Sequence, residues 1–352
     1  MSLAALLKAR IRATGPISVA DFMAECLGHP EHGYYTTRDP LGASGDFTTA
    51  PEISQMFGEL IGLALAQSWL NQGAPAPFTL AELGPGRGTL MADILRATRG
   101  VPGFHAGLRL HLVETSPVLR AVQRRALDGV DLTHLDTVDA LPDMPLWLVA
   151  NEFFDALPIR QFVRAAGLWR ERVVGLADGA LAFGLAGPSA PEELATRSDV
   201  ADGGLVEICP AARVAMDEIA ARIAAHGGAA LVIDYGDWRS LGDTLQAVQG
   251  HAPTDPLAAP GAADLTAHVD FEALALAAPG LAASALTPQG VFLERLGITQ
   301  RARALADRLD GPALDAHIAA HRRLTHPDEM GNLFKVLGLV PAGAPMLPGL
   351  VS

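Results

Sequence analysis

The amino-acid sequence predicts an α/β fold with a Rossmann-like, doubly wound sheet of parallel strands. Apolar runs of strand length, the third of them weaker than the rest, occur at 78–83, 108–113, 132–135, 145–150 and 229–233. Helical patterns separate several of these runs, at 89–99, 116–127 and 211–225. Strands that alternate with helices form parallel sheets with helices on both faces.

Residues 1–75 are predicted to form a helical cap that contains one long loop. Ser18 begins one helix, and a further helix is expected from about Glu52 to Leu70. The segment between them, Gly28 to Pro51, is rich in Gly, Pro, His and Tyr and has no sustained period. Loops of this length are usually functional or disordered, and the aromatic and glycine content favours a folded, functional loop.

Residues 76–352 are predicted to form the α/β core, with two interruptions. An insertion at about 159–205 begins with a β-meander whose turns fall at Gly167 and at Asp178-Gly179. The proline-containing segment at about 250–266 is expected to be a loop over one face of the core. Two late strands are also expected, at 281–286 and from Leu333 to Leu337.

The composition is that of a folded protein with an acidic surface. Of the 352 residues, 49% are hydrophobic and 18% are charged, which is typical of a globular chain rather than a disordered one. The net charge of -13 disfavours binding to nucleic acid. An acidic surface suits a basic protein substrate, but it equally suits solubility alone. No uninterrupted apolar stretch of about 18 residues occurs, so no membrane span is expected.

The cysteine content and the N-terminus indicate the compartment. The only cysteines, Cys26 and Cys209, lack the spacing of metal ligands or of a disulfide framework, so no metal site is expected. A reducing compartment fits: the cytoplasm for a bacterial chain, or the mitochondrial matrix for a eukaryotic one. The first residues place apolar positions before basic ones, the reverse of a signal peptide, and favour a surface helix over a transit segment. The oligomeric state stays open, a homodimer included.

A glycine-rich turn lies between the first core strand and the following helix. It comprises Glu82 to Gly88, and Thr89 begins the helix. Gly84 permits a tight turn, and Gly86 lets a ligand approach the backbone with no Cβ in the way. Gly88 lets the helix pack closely on the strand. Such turns bind nucleotide-like ligands in open α/β sheets, although a single one is often only structural.

Three details of this turn favour S-adenosylmethionine over a dinucleotide. A dinucleotide loop needs a further glycine at position 89, where this chain has Thr89. Pro85 removes one of the backbone N–H groups that would bind a pyrophosphate. Glu82 places a carboxylate where a ligand with ammonium and sulfonium charges, rather than a pyrophosphate, is favoured. A phosphate-binding P-loop is excluded as well, because no Gly-Lys-Ser/Thr follows.

The second core strand ends at Glu114 and Thr115, 30 and 31 residues after Gly84. A carboxylate at this strand end can accept hydrogen bonds from both ribose hydroxyls of an adenosyl ligand. The alternative is a surface glutamate that caps the helix opened by Ser116. Asp136, after the weak third strand, is a candidate for the adenine end of the site or a plain turn residue.

The fourth core strand runs directly into Asn151 and Glu152, followed by Phe153, Phe154 and Asp155. In a doubly wound sheet this strand end faces the reactive part of the ligand. Polar groups between aromatic walls can align a nucleophile with an activated methyl group, a reaction that depends mainly on orientation and charge. We therefore predict that Asn151, Glu152 and Asp155 are catalytic. The alternative is that the polar residues cap a turn and the phenylalanines pack in the core.

Several long segments of the chain resemble the MidA-like methyltransferases. They are ELGPGRGTL, VETS, ANEFFDALP, LVIDYGD, DTLQAVQGH, DLTAHVDF, the N-terminal HGYYTTRDPLGASGDFTTAPEISQMFGE and the C-terminal MGNLFKVLGL. The resemblance extends from Gly15 almost to the C-terminus. It implies a seven-stranded class I methyltransferase core, an N-terminal helical cap and an inserted substrate region. It also implies symmetric dimethylation of an arginine on a subunit of the respiratory NADH–quinone oxidoreductase, and thus a protein partner.

The resemblance also implies roles for residues at matching positions. Gly84, Gly86 and Gly88, with Pro85 in the same loop, are expected to line the methionine moiety of S-adenosylmethionine, and Glu114 to bind its ribose. The loop around Asp46, Thr48 and Thr49 is expected to fold over the cofactor. Glu152 fits a carboxylate that holds a guanidinium, with Asp155 as a candidate second arm. His251, Asp264 and His268 are weaker candidates for the substrate side, since a solitary histidine is more often structural.

Two other functions are compatible with the sequence. One is methyl transfer to a small molecule, because a lid over a small substrate would resemble the long N-terminal loop. The other is a non-catalytic assembly factor that binds S-adenosylmethionine as a structural ligand. Asn151 and Glu152 argue against the second possibility.

Overall fold

The computed structural model describes residues 1–37 and 49–352 of the chain. The helices of these two ranges are α1 (Leu3–Thr14), α2 (Val19–Gly28), α3 (Tyr34–Thr37), α4 (Ala50–Ile53), α5 (Gln55–Asn71), α6 (Thr89–Thr98), α7 (Phe104–Gly107), α8 (Pro117–Ala126), α9 (Pro210–His226), α10 (Phe271–Leu276), α11 (Gln289–Arg295), α12 (Ile298–Ala306), α13 (Gly311–Thr325) and α14 (Met330–Leu333). Short 3-10 turns occur at Val138–Ala140 and Glu192–Leu194. Among these helices, none is both long and apolar enough to cross a membrane.

The strands of the same ranges form three sheets. They are β1 (Ile17–Ser18), β2 (Phe78–Leu83), β3 (Leu108–Val113), β4 (Leu132–Leu135), β5 (Leu146–Asn151), β6 (Arg160–Ala165), β7 (Leu168–Ala177), β8 (Ala180–Ser189), β9 (Leu205–Ile208), β10 (Gly228–Asp237), β11 (Gln246–Gln249), β12 (Ala252–Thr254), β13 (Asp264–Thr266), β14 (Val269–Asp270), β15 (Leu281–Ala283), β16 (Thr287–Pro288) and β17 (Phe334–Pro341).

The central sheet has the order β15–β17–β10–β5–β2–β3–β4, and the two-residue strands β14 and β16 pair with β10 and β17 beside this path. The five strands from β10 to β4 in this order are parallel, and β17 runs antiparallel to β10. The chain reverses its direction of strand addition between β2 and β5, so the carboxyl ends of these strands open onto a crevice where ligands bind. The predicted Rossmann-like, seven-stranded core is therefore confirmed.

Alternate residues of each central strand enter the core on opposite faces of the sheet, as the two-residue period of a strand requires. Leu80 of β2 and Trp147 of β5 pack with α5 and α6 on one face. Ala81 and Leu148, their neighbours in sequence, pack with α9 on the other face. All six residues of both strands are buried. This two-sided burial explains why the strands read as continuous apolar runs.

Helix α5 belongs by packing to the core rather than to the cap. Most of its residues are buried, and Ile61 and Leu65 share one cluster with the central strands. Gly62 lets α6 approach closely, because an added Cβ would lie 2.8 Å from the Cα of Ile94. The predicted boundary at residue 75, drawn from the start of strand alternation, separates this helix from the sheet on which it packs. Helices α1 and α2 instead pack against the inserted strands.

The inserted region is a five-stranded sheet. Strands β6, β7 and β8 form the predicted meander, with Gly167, Asp178 and Gly179 in the positive-φ conformations of tight turns. The sheet also recruits β9 and, from the N-terminal region, β1.

The segment predicted as a loop at 250–266 contains β12 and β13, which pair with β11 in a small sheet. The loop prediction was wrong here because strands of three residues carry no periodic signal. The strand expected at 281–286 ends at residue 283, and helices α11 to α14, which precede β17, were not anticipated.

Candidate functional site

A cavity of about 290 Å³ lies at the carboxyl ends of β2, β3, β5 and β10. We call it the central cavity. Its lining brings together the following predicted site residues: Glu82, Gly84, Pro85, Gly86, Glu114, Thr115, Asn151, Glu152 and Asp155. Thr49 also lines it, whereas Asp46 and Thr48 lie outside the described residues. Most of the predicted site residues therefore line one continuous cavity.

The glycine loop takes the backbone conformation that its sequence predicts. Gly84, Gly86 and Gly88 all have positive φ, between 52° and 83°. A Cβ at Gly84 would lie 3.0 Å from the ring of Phe153, and the φ of 59° is one that residues with a Cβ seldom adopt, so the close approach of the loop to the turn after β5 favours glycine. Gly88 does not line the cavity. It precedes α6 and faces Gln123 of α8, which points to a packing role.

Glu82 is a buried carboxyl group that lines the cavity and has one oxygen without a hydrogen-bond partner among the described residues. Its side chain is 3% exposed, and that oxygen is Oε2. Burial raises the pKa of Glu82 to about 8. An unpartnered acceptor in a low-dielectric wall is a favourable position for the ammonium or sulfonium of S-adenosylmethionine. The residues present thus fit the cofactor predicted from the loop.

Glu114 directly follows β3, and each of its two carboxylate oxygens accepts a hydrogen bond. Oε1 accepts a hydrogen bond from the Ser116 N–H at 2.7 Å, and Oε2 accepts one from Gln123 at 3.3 Å. The capping alternative is thus partly correct, although the carboxyl is buried and not on the surface. A carboxylate has about four acceptor positions, so these two bonds leave capacity for ribose hydroxyls on the cavity side. Burial also raises its pKa.

Asp136 lies away from the central cavity. Its side chain is 80% exposed and forms an ion pair with Arg120 at 2.6 Å. The same arginine donates to the carbonyl oxygens of Glu114 and Leu135. The structure therefore places Asp136 where it joins two strand ends, and not among the residues that line the cavity.

Glu152 begins the sharp turn that follows β5. Its φ of 52° lies in the left-handed region, which non-glycine residues seldom adopt and which is common at functional sites. Two contacts hold its side chain: Oε1 accepts bonds from the Ala50 N–H at 3.2 Å and from Asn151 at 3.1 Å. Burial, followed by the charge of Asp155, raises the pKa of Glu152 to about 7. The other end of the Asn151 amide, Oδ1, is buried without a partner.

Asp155 closes the same turn and is the second carboxylate of the predicted pair. Its Oδ1 atom is buried without a partner among the described residues. Burial raises its pKa to about 6, against the opposing effect of the Tyr235 hydroxyl. The structure therefore brings Glu152 and Asp155 to one wall of the cavity, as predicted.

Asp234, in the carboxyl-terminal half of β10, holds the turn that follows β5 and was not predicted. Its Oδ2 accepts bonds from the backbone N–H groups of Phe154 and Asp155, at 3.0 and 3.2 Å. Its Oδ1 accepts from the N–H of Tyr235 at 2.9 Å. Burial and the charges of Asp155 and Glu152 raise its pKa. Two signals could have indicated it from sequence: its position directly after an apolar run, and its place in the segment LVIDYGD that resembles the family.

Further lining residues come from elements outside the central strands. Tyr35 of α3 and Asp264 of β13 meet at the cavity, where the tyrosine hydroxyl donates to Oδ1 of the aspartate at 2.8 Å. The sequence predicts no role for Tyr35 and makes Asp264 a weaker candidate for the substrate side of the site. The other two candidates lie elsewhere: His251 is exposed, and His268 packs edge-on against Tyr235 without lining the cavity.

The central cavity is strongly acidic. Six carboxylates and one guanidinium, that of Arg87, line it within the described residues; the carboxylates are Glu52, Glu82, Glu114, Glu152, Asp155 and Asp264. The buried acceptors without a partner include Glu82 Oε2, Asn151 Oδ1 and Asp155 Oδ1. This arrangement selects ligands that carry positive charge and N–H donors. The described residues contain no group of three or more candidate side chains arranged to hold a metal ion.

Comparison with known proteins agrees with this geometry. Residues 60–289 match the model of a family described as S-adenosyl-L-methionine-dependent methyltransferases. The chain is 38% identical to the mitochondrial protein arginine methyltransferase NDUFAF7 of Bos taurus, over 94% of this chain and 82% of the relative. The Mus musculus protein of the same name is 40% identical, over 94% and 83%.

A solved structure resembles the whole fold. The crystal structure of a Burkholderia thailandensis protein bound to S-adenosyl-homocysteine superposes with a TM-score of 0.83 at 30% identity. The match covers 99% of this chain and 93% of that protein. The chain therefore belongs to the MidA-like family of S-adenosyl-L-methionine-dependent methyltransferases, and S-adenosylmethionine is its cofactor.

Proposed function

We propose that the chain methylates a guanidinium nitrogen of an arginine on a protein substrate. The observation that carries this proposal is the pair of carboxylates at the turn after β5, the half-buried Glu152 and the buried Asp155, beside acceptor atoms that lack partners among the described residues. Arginine is protonated at any working pH and presents five N–H donors in a plane, which two carboxylates can hold. The relatives named as protein arginine methyltransferases support the same substrate class.

The chain's own residues account for binding of both reactants. Glu82 and the loop from Gly84 to Gly86 would hold the amino-acid portion of the cofactor, and Glu114 its ribose. S-adenosylmethionine supplies an activated methyl group, whose bond to sulfur breaks as its bond to nitrogen forms. Glu152 and Asp155 orient the guanidinium so that one nitrogen faces that methyl group.

The nitrogen must lose a proton during transfer, and Glu152 is suited to accept it. Its pKa of about 7 lies near the working pH, which is where a general base is most effective. Asp155, whose carboxylate is favoured by the Tyr235 hydroxyl, stays ionised and keeps one side of the guanidinium in place. The Ala50 and Asn151 donors fix the orientation of Glu152 throughout.

The physiological partner in this proposal is a subunit of the respiratory NADH–quinone oxidoreductase, or its bacterial counterpart, with symmetric dimethylation as the product. That assignment rests on the sequence resemblance. The site residues and the compartment, cytoplasm or mitochondrial matrix according to source, stay predictions. The names of the relatives support the mitochondrial alternative for a eukaryotic chain.

Methyl transfer into whole lysate tests the proposal. Labelled S-adenosylmethionine is incubated with the enzyme and lysate, products are separated by size, and labelled residues are identified after hydrolysis. We expect label in methylarginine of a protein fraction. Label confined to small molecules would favour the small-molecule alternative, and cofactor binding without any turnover would favour the non-catalytic one.

Two variants separate the cofactor half of the site from the acceptor half. Gly86→Val should abolish cofactor binding in calorimetry, because it adds a branched side chain at a positive φ that lines the cavity. Glu152→Gln should keep cofactor affinity and lose transfer at least a hundredfold. A fully active Glu152→Gln enzyme would exclude this residue from the mechanism.

A further inference from the structure

Two tyrosine–aspartate pairs lie at the end of the central cavity that α3, β10 and β13 line. Tyr35 donates to Asp264 at 2.8 Å, and the Tyr235 hydroxyl interacts with Asp155. We propose that this end is the acceptor subsite, in which Asp264 contacts the cationic acceptor and Tyr35 positions Asp264. The inference rests on the proposed function and deepens it, because it names residues outside the methyltransferase core that select the acceptor.

Asp264 is held by the backbone against the turn that follows β5. The N–H of Ala267, immediately after β13, donates to the carbonyl oxygen of Asp155 at 2.9 Å. Thr266, on the same strand, is buried and lines the cavity next to Tyr235. This bond attaches the segment that carries Asp264 to the turn that carries Asp155.

The Tyr35 hydroxyl lies close to both aspartates. Burial, and then the charges of Asp264 and Asp155, raise the pKa of Tyr35 well above its usual value, so the hydroxyl stays protonated and donates. The charges of both carboxylates, which line the same cavity, therefore act on the Tyr35 hydroxyl. A planar guanidinium, with donors on several edges, can bind two carboxylates there, whereas the compact ammonium of lysine suits such a pair less well.

An uncharged groove adjoins the cavity at this end. It has a volume of about 560 Å³ and shares Tyr35, Thr115, Ala156 and Leu157 with the cavity. Its remaining lining consists of glycine, proline and other uncharged side chains from α2, α3 and the chain around residue 117. Since the groove is continuous with the acidic cavity, the substrate segment that flanks the acceptor would occupy it, with uncharged residues next to the arginine.

Peptide binding to the enzyme saturated with S-adenosyl-homocysteine tests the subsite. The probes are acetylated, amidated pentapeptides of glycine with arginine or lysine at the centre. We expect Asp264→Asn to weaken binding of the arginine peptide about ten- to a hundredfold and to leave the S-adenosyl-homocysteine Kd within about twofold. Tyr35→Phe, which removes only the hydroxyl, should weaken the peptide about three- to tenfold, and Asp264→Glu should recover part of the loss.

Matched controls separate the subsite from general effects on folding. Tyr34→Phe is the control for Tyr35→Phe, because Tyr34 is a neighbouring tyrosine that does not line the cavity. Asp131→Asn is the control for Asp264→Asn, because Asp131 is exposed. Both should bind the peptide as wild type does. Wild-type peptide affinity in Asp264→Asn, or an equal loss of S-adenosyl-homocysteine affinity, would overturn the subsite assignment alone. A wild-type enzyme that binds the lysine peptide equally well, or binds neither, would overturn the proposed function.

Discussion

Replacing Glu82 with glutamine removes an ionisable group from the central cavity and keeps the size of the side chain. Burial raises the pKa of Glu82 from 4.5 to about 8, so the folded protein binds this proton more tightly than the unfolded chain does. The stability that this group contributes is complete below about pH 4.5 and is lost as the pH rises through 8. At about 1.4 kcal/mol for each pH unit, the loss amounts to about 4 to 5 kcal/mol above pH 8.

Glu82→Gln should therefore raise the free energy of unfolding of the ligand-free protein at pH 8.5 by several kcal/mol, and change it little at pH 4.5. Urea unfolding, followed by circular dichroism at both pH values, measures the difference. The other carboxylates of the cavity are present in both proteins, so their titration largely cancels. Glu31→Gln, at an exposed glutamate, is the control, and its free energy of unfolding should follow that of wild type at both pH values.

The same substitution should act in the opposite direction on the cofactor. Without the carboxylate, the ammonium and sulfonium of S-adenosylmethionine lose a charged partner, and affinity should fall about tenfold or more. A variant that is more stable at high pH and binds the cofactor less well would confirm that Glu82 is kept for binding at the expense of stability. Equal stabilisation at both pH values, or unchanged cofactor affinity, would refute the reasoning.

Two further substitutions test the loop and the turn that follows β5. Gly84→Ala places a Cβ at a φ of 59° and 3.0 Å from Phe153, so it should destabilise the protein by about 1 to 3 kcal/mol and weaken S-adenosyl-homocysteine binding in calorimetry at least tenfold. Asp234→Asn replaces an acceptor oxygen with an amide NH2 group that faces backbone N–H donors. The turn then loses part of its support, so kcat should fall about ten- to a hundredfold. The S-adenosyl-homocysteine Kd of Asp234→Asn should stay within about twofold of wild type, and a kcat equal to wild type would show that the turn holds without this carboxylate.

The core was predictable because its signals are local. Strands β2 and β5 are buried on both faces, and each therefore appears in the sequence as an uninterrupted apolar run. The glycine loop and the Asn151-Glu152 pair directly follow such runs, so their positions at the sheet edge followed from strand direction alone. The candidacy of Glu82 could also be predicted from the sequence, because this residue lies near the end of a strand that is buried on both faces.

The acceptor end was not predictable from local patterns. Tyr35 and Asp264 are 229 residues apart in sequence, and their hydrogen bond exists only because α3 and β13 pack beside the same turn. Strand β13 has three residues and lies in a segment that reads as a loop. Asp136 shows the converse: its position after a strand fits a ligand-binding role, but Arg120 holds its side chain at the surface. Contacts between distant short elements leave no periodic trace in the sequence.

The carboxylates of the site divide into two groups by what their oxygens contact. Asp234 accepts three backbone N–H bonds, and Glu114 accepts one backbone bond and one from Gln123, so the oxygens of both side chains have hydrogen-bond partners within the chain. Glu82 and Asp155 instead each have a buried oxygen without a partner, which costs stability until a donor arrives. In the proposed function, Glu82 and Asp155 contact the reactants, Glu114 offers its remaining acceptor positions to the ribose, and Asp234 holds the turn that follows β5. A cationic cofactor and a cationic acceptor would each relieve part of the repulsion in the cavity, so binding of one reactant need not disfavour the other even though both are positively charged.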